Sequence, residues 1–258
     1  MRKDTPDYGL DAPGAFRALL IGGFTATIVG YFLVRWALSG HSGLAIGMAF
    51  TVQNSGIFCL FSASFMFISS RFGKFRARDR VLARLKLRGD EAVLDVGCGH
   101  GLLLIGAAKL LPRGRAVGID LWSQVDQSDN SREATLRNAA LEGVAERVTV
   151  LDGDMRELPF DDCTFDVAVA HFAIHNIPSH AGRRQAIDEI VRTLKPGGQV
   201  ALSDLKSVGL YADELRKSGV RDVKVSGPSF WTWPPARTVT ARKPVGAEEP
   251  GPEERGHH

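Results

Sequence analysis

The residues best placed for chemistry lie in one short run, Val93-Leu94-Asp95-Val96-Gly97-Cys98-Gly99-His100-Gly101. An apolar stretch ends there in glycines and opens into a second apolar stretch. Glycine is needed where a backbone turns tightly and a ligand approaches with no Cβ in the way. The spacing is G-x-G-x-G, through Gly97, Gly99 and Gly101. A dinucleotide fingerprint would put its third glycine where Leu102 stands, and a P-loop would continue into Lys-Ser or Lys-Thr. Pyrophosphate is therefore not the expected guest. Acids accompany the loop. Asp95 precedes it, Asp120 closes the next apolar run, and Asp154 follows the third in Gly153-Asp154-Met155-Arg156-Glu157-Leu158-Pro159-Phe160. A carboxylate placed like Asp120 can accept both hydroxyls of a ribose. One placed like Asp154 can accept from the exocyclic amine of an adenine.

Further polar candidates are His171, His175, Asp204 and Tyr211, at or near the carboxyl ends of later apolar runs. His171 and His175 are candidates for a base or for orienting an acceptor; a histidine at a strand end also serves as an ordinary hydrogen-bonded structural group. Cys98 is expected as a small residue tolerated in the loop rather than as a nucleophile. The three cysteines, Cys59, Cys98 and Cys163, are odd in number and scattered. They form neither a disulfide framework nor a zinc pattern, so a reducing compartment and no metal site are expected. The net charge of +3 over 258 residues does not argue for nucleic-acid binding.

The elements that must position these groups alternate. Strands are expected at 92–96, 115–120, 148–151, 165–170, 199–204, 221–226 and 236–242, with helices at 76–87, 101–111, 132–143, 182–194 and 211–218. Asn130 and Glu133 have the spacing of a capping box for the third of these helices. Alternation of this kind implies an α/β fold, a doubly wound and mostly parallel sheet with its ligand at the carboxyl ends of the strands. The tail 243–258, rich in Pro, Gly and Glu, is expected to be disordered.

The first quarter of the chain is different. Residues 18–34 and 36–70 contain no Asp, Glu, Lys or Arg, and Ser39-Gly40-His41-Ser42-Gly43 marks a turn between them. Two segments, roughly 17–38 and 44–69, are each long enough at ~1.5 Å per residue to cross a ~30 Å hydrocarbon layer. A signal peptide, a re-entrant hairpin and a pair of buried core helices are the competing readings. Arg71, Lys74, Arg76, Arg78, Arg80, Arg84, Lys86 and Arg88 follow the second segment against a single Asp79. Positive charge at this flank places both termini and the catalytic domain in the cytoplasm. It also suits anionic headgroups. Gly43-x-x-x-Gly47 offers a close helix approach, and Gln53 and Asn54 a bond across the hairpin or to a second subunit of a homo-oligomer. The expected organisation is a cytoplasmic tail 1–15, a transmembrane hairpin 16–70, a basic juxtamembrane helix 71–90, a catalytic domain 91–242 and the tail.

Five runs, VLDVGCGHG, VGIDLW, GDMRELPF, FDVAVAHFAIHNIP and VRTLKPGGQVALSD, occur in an order and spacing that resembles the class I S-adenosylmethionine-dependent methyltransferases. The similarity covers 76–242 and is greatest to the branch containing quinone and small-molecule methyltransferases. It implies a Rossmann-like, seven-stranded sheet and S-adenosylmethionine (SAM) as cofactor. It further implies that Asp95 and the Gly97–Gly101 loop, Cys98 and Gly99 included, hold the methionine part, and that Asp120 takes the ribose hydroxyls. Leu121 packs by the adenine, Asp154 bonds its amine, the Met155 amide meets the ring, and His171 lines the junction with the acceptor. The segment after the fourth strand, Ala170-His171-Phe172-Ala173, lacks the Pro-Pro-aromatic pattern of DNA and glutamine amino-methyltransferases. Basic patches interleaved with aromatics, as RNA binding requires, are missing too. The expectation is methyl transfer to a small, lipid-soluble acceptor at a bilayer, with a soluble acceptor or a non-catalytic SAM sensor as rivals.

Overall fold

Seven runs of β-branched and small apolar residues form one sheet in the computed structural model, which describes residues 5–123 and 130–245. The strands are β1 Ala92–Val96, β2 Arg115–Asp120, β3 Val148–Asp152, β4 Phe165–His171, β5 Leu194–Asp204, β6 Arg221–Val225 and β7 Arg237–Arg242. Their order is β3-β2-β1-β4-β5-β7-β6. Pairings from β3 through β5 are parallel, and β7 runs antiparallel to both β5 and β6. The fold class expected from the alternation is the one observed. Of the expected tail, residues 246–258 lie outside the described residues, as do residues 1–4 of the expected N-terminal tail.

Side-chain alternation along the strands feeds two cores. Leu94, Val96, Ile119, Ala168 and Leu202 face α6 (His180–Thr193) and α7 (Val208–Lys217). Val93, Val167, Val169 and Ala201 face α3 (Lys74–Leu85) and α4 (Leu102–Lys109). With both faces covered, β1 is buried at every position, and Asp95 is the one charged residue inside it. The chain leaves β1 toward β2 and β3, then returns to β4 on the other side. That reversal opens a crevice at the carboxyl ends of β1 and β4.

The N-terminal apolar segments form α1 (Pro13–Ala37) and α2 (Gly43–Ile68), joined by a turn where the glycine and serine cluster expected one. The glycines that let the helices meet are not Gly43 and Gly47, around which a Cβ would meet nothing within 4 Å. Gly30 lies against the backbone of Gln53, and Gly56 against that of Thr27, where a Cβ would overlap the partner helix. Helix α2 does not stop at a basic juxtamembrane helix of its own. One π-helical turn, Ser69–Gly73, leads it into α3, so residues 43–85 are a single continuous helix. The loop before β7 docks on that turn: Gly73 is packed so closely on the Trp231 carbonyl that any side chain there would collide with it, and the Trp233 amide donates to Ser69 Oγ at 2.9 Å.

One local expectation needs correction. The cap of α5 (Arg132–Leu141) is Ser131, whose Oγ accepts from the Ala134 amide at 3.2 Å, because Ser131 is the residue in extended conformation immediately before the helix. Asn130 turns away, its amide 3.4 Å from Asp120 Oδ1 and from the Ser123 carbonyl. The segment before α1 is tied to the domain. Asp7 and Asn138 exchange backbone and side-chain hydrogen bonds at 2.9 and 2.7 Å, and the buried Tyr8 donates to Glu142 at 3.0 Å. Lys74 Nζ donates to the Tyr8 and Gly9 carbonyls at 2.7 and 2.6 Å, and the Asp11 amide to Ser70 Oγ at 2.9 Å. Residues 7–11 thus form a strap from α5 to the start of α3.

Candidate active site

Gly97, Gly99 and Gly101 all have positive φ, at 73, 49 and 84°. That region is strained for any residue with a Cβ. At Gly97 a Cβ would also strike that of Ala173. The turn is tied to the sheet because the Gly97 and Cys98 amides donate to the Ile119 carbonyl at 2.8 and 3.2 Å. The result is a bare backbone cradle at the carboxyl end of β1. Cys98 is buried against Gly118, and burial together with Asp95 and Asp120 pushes its thiol pKa well up, which keeps it from acting as a thiolate.

Each expected acid has a distinct environment. Asp95 is buried, accepts from the Leu104 amide at 2.8 Å, and has its carboxyl pKa pushed up to about 7 by burial. Asp120, at the end of β2, accepts from the Gly99 amide at 2.8 Å and the Trp122 amide at 2.7 Å. A carboxylate offers about four lone-pair sites, and with the Asn130 amide also 3.4 Å from Oδ1, capacity for about one more donor is left among the described residues. Leu121 stands 62% exposed at the rim. Asp154 is forked by Arg156, with Nε 3.0 and 2.9 Å from its two oxygens, and that hydrogen bonding holds its carboxyl below the usual range. Met155 lies beside it in the same wall.

His171 ends β4. Both its ring nitrogens are shielded from solvent and have no hydrogen-bond partner among the described residues. Its ring stacks on Phe172 with centroids 3.9 Å apart, and burial pushes its pKa down to about 4, against opposing pulls from Asp11 and Asp204. His175 is held differently. Its Nδ1 lies 2.6 Å from Asp204 Oδ1, on an approach too oblique for a hydrogen bond, and its amide donates to Asp204 Oδ2 at 3.2 Å. Asp204 also accepts from the Tyr211 hydroxyl at 2.9 Å. Tyr211 is fully buried in the core, and burial beside Asp204 drives its phenol pKa up. Asp204 and Tyr211 therefore support His175 from behind rather than facing the cavity.

Asp95, Gly97, Cys98, Gly99, Asp120, Leu121, Asp154, Met155, His171 and His175 all line one cavity of about 830 Å³, whereas Gly101, expected with them, is not part of its lining. The same cavity continues past His171 to Asp11, Met66, Ser69, Lys74, Trp233 and Pro234. Trp122 and Thr135 also escaped notice. Trp122 Nε1 donates to Asp152 at 2.7 Å, and Thr135 Oγ1 to the Gly99 carbonyl at 2.6 Å, bracing the cradle from outside.

Residues 93–198 match the family model described as a methyltransferase domain. A demethylmenaquinone methyltransferase of Symbiobacterium thermophilum is 34% identical over 119 residues, which are 46% of this chain and 44% of that protein. The match thus spans under half the length of that relative. Among solved structures, the cyclase SpnF aligns over 67% of this chain and 81% of its own, at a TM-score of 0.55 and 23% identity. A SAM-dependent methyltransferase from Aquifex aeolicus aligns over 70% and 97%, at 0.55 and 21%. These likenesses establish the Rossmann-like α/β fold. That one neighbour is a cyclase shows why chemistry has to be argued from the site.

The cradle fits an adenosyl sulfonium on its own geometry. The glycine backbone leaves room for the amino-acid part, Asp120 keeps an acceptor site for a ribose hydroxyl, and Asp95 supplies a carboxyl whose ionisation a cation would favour.

Proposed function

We propose that this chain is a membrane-anchored, SAM-dependent methyltransferase that transfers a methyl group to a small hydrophobic acceptor by in-line displacement. The observation that carries the reading is the single cavity joining the glycine cradle and Asp120 to His171. SAM supplies an electrophilic methyl, so the protein's task is to align the acceptor and keep water out. Well-aligned partners gain up to ~7–11 kcal/mol from proximity and orientation. His171 is uncharged at neutral pH, which leaves one ring nitrogen to accept a proton from a hydroxyl or acidic carbon and the other to donate to a carbonyl. His175, fixed by Asp204, orients the acceptor from the neighbouring wall.

Quinone chemistry in the matched relative supports a quinone-like acceptor. The two N-terminal helices are long and apolar enough to span a bilayer, and most of their surface is exposed. Both ends of the hairpin return to the domain, through the strap and through α3, which supports a domain and N-terminal segment on one side. The basic run 71–88 supports the cytoplasmic side. A second copy docking through the hairpin remains part of this proposal.

The test is incubation of the purified full chain with methyl-labelled SAM and fractionated membranes, followed by mass analysis of the labelled product. Label in a lipid-soluble molecule supports the reading. Label only in water-soluble products reduces the anchor to a matter of location. SAM binding without any S-adenosylhomocysteine formed makes the chain a sensor.

A further inference from the structure

The far end of the cavity has two kinds of wall. One is polar. His171 presents two shielded ring nitrogens without partners among the described residues. Asp11, on the strap, faces the same space with its carboxylate 3.6 Å from Lys74. The Lys74 ammonium is already engaged by the Tyr8 and Gly9 carbonyls, so its part is to hold the strap and thereby place Asp11. Burial of polar groups that hydrogen-bond to nothing is costly, and a ligand with a donor and an acceptor removes that cost.

The other wall is apolar and belongs to the membrane hairpin. Met66, near the end of α2, lines it together with Trp233 and Pro234, and the Trp233 amide is bonded to Ser69 Oγ at the turn that follows α2. The Phe65 ring lies 5.5 Å from that of Trp233. In the same loop Phe230 is 73% exposed, and Trp231 sits under the Arg76 and Arg80 guanidinium groups at 4.7 and 5.2 Å. Tryptophan, phenylalanine and arginine gathered at one level of an apolar helix end match the composition of a membrane–water interface. This end of the cavity therefore has the lining expected of a site at the edge of a hydrocarbon layer.

We propose that the methyl acceptor is an amphiphile taken directly from the bilayer. Its polar end is read by His171 and Asp11, and its apolar part stays between the end of α2 and the Trp233–Pro234 loop. This rests on the methyl transfer proposed above and adds the acceptor's class and its route. A wholly apolar acceptor would leave the His171 ring nitrogens unanswered, and a soluble polar one would have no use for the apolar wall at Met66 and Trp233.

The test uses the full chain in phosphatidylcholine vesicles with bromine atoms at graded depths on the acyl chains. Tryptophan fluorescence is read from a variant whose other tryptophans are replaced, Trp36→Phe, Trp122→Phe and Trp231→Phe. In parallel, wild type, Met66→Trp and Asp11→Asn are given methyl-labelled SAM and a membrane lipid extract, and S-adenosylhomocysteine affinity is measured by calorimetry on each. Shallow bromines should quench Trp233. Both substitutions should lower label in the lipid fraction about tenfold at limiting extract, with S-adenosylhomocysteine affinity held within about twofold. Trp233 quenched only from the aqueous side, or lipid labelling that neither substitution lowers, overturns the amphiphile route and leaves methyl transfer standing. Failure of wild type to bind S-adenosylhomocysteine, or to label anything, overturns the methyl-transfer reading, while the quenching still decides where the opening lies. Asp11→Asn keeps the backbone bond to Ser70 and carries the labelling arm alone if Met66→Trp does not fold.

Discussion

The two ends of the cavity are built on opposite plans. At the cradle, polar groups are already engaged: Asp95 with Leu104, Asp120 with Gly99 and Trp122, Asp154 with Arg156. Most of its residues come from three short runs on adjacent strands. At the acceptor end, His171 has no partner among the described residues, and the wall is assembled from four stretches: the strap, the end of α2 with the start of α3, the end of β4, and the loop before β7. The cradle is organised before any ligand arrives. The acceptor end is completed by what enters it.

That contrast is most sharply tested at Asp120. Asp120→Ala removes a loop tether and the ribose acceptor together, and two charge-assisted hydrogen bonds at ~1.5–3 kcal/mol each imply SAM affinity weaker by about 300-fold. Calorimetry that finds affinity unchanged would break the assignment of the cradle. His171→Ala should act at the other end only, lowering kcat about 100-fold while SAM affinity stays within about threefold. A matching loss of SAM affinity would erase the distinction between the ends. Gly30→Leu forces the α1–α2 contact apart, since a Cβ at Gly30 already meets the Gln53 backbone. Methyl transfer to lipid extract should then fall about tenfold with S-adenosylhomocysteine affinity preserved, as expected if the hairpin builds one end alone.

A smaller effect should appear in pH. Burial raises the Asp95 carboxyl to about 7, well above its unfolded value. The stability it contributes is therefore full below pH ~4 and is lost as pH rises through about 7 in the ligand-free protein. A cationic ligand favours the carboxylate, so SAM uptake near pH 6.5 should release part of a proton and tighten as pH rises toward 7. Calorimetry in buffers of different ionisation enthalpy reads the proton directly, and Asp95→Asn should abolish it. Smallest of all, Tyr211→Phe deletes one buried hydrogen bond to Asp204 and should cost about 1 kcal/mol, or roughly 2–4 °C in Tm, with SAM affinity untouched.

What could be read from the sequence follows the same division. The sheet was legible because strand periodicity and glycine or proline punctuation are local: β2 falls at Arg115–Asp120, as its apolar run expects. The cradle was legible because its glycines and acids are contiguous or end neighbouring strands. The strap was not, since Tyr8-Gly9-Leu10-Asp11 has no periodicity, and what orders it lies 131 residues away at Asn138. That Trp233 docks on Ser69, across 164 residues, is announced by no local pattern. Gly43-x-x-x-Gly47 misled because a small-residue motif states that approach is allowed, whereas the facing helix decides where it happens. Asn130 misled similarly: its spacing to Glu133 suited a cap, but Ser131 is nearer the first turn.

If the apolar helices span a bilayer as proposed, the continuous helical rod from Gly43 to Leu85 couples the tilt of that span to the catalytic domain. At ~1.5 Å per residue, the stretch from the middle of the span to the rod's far end is about 45 Å, so a change in tilt of about 5° displaces that end by about 4 Å. On that reading, a change of membrane thickness would reach the strap and the aromatic loop together, since both are bonded to the turn Ser69–Gly73.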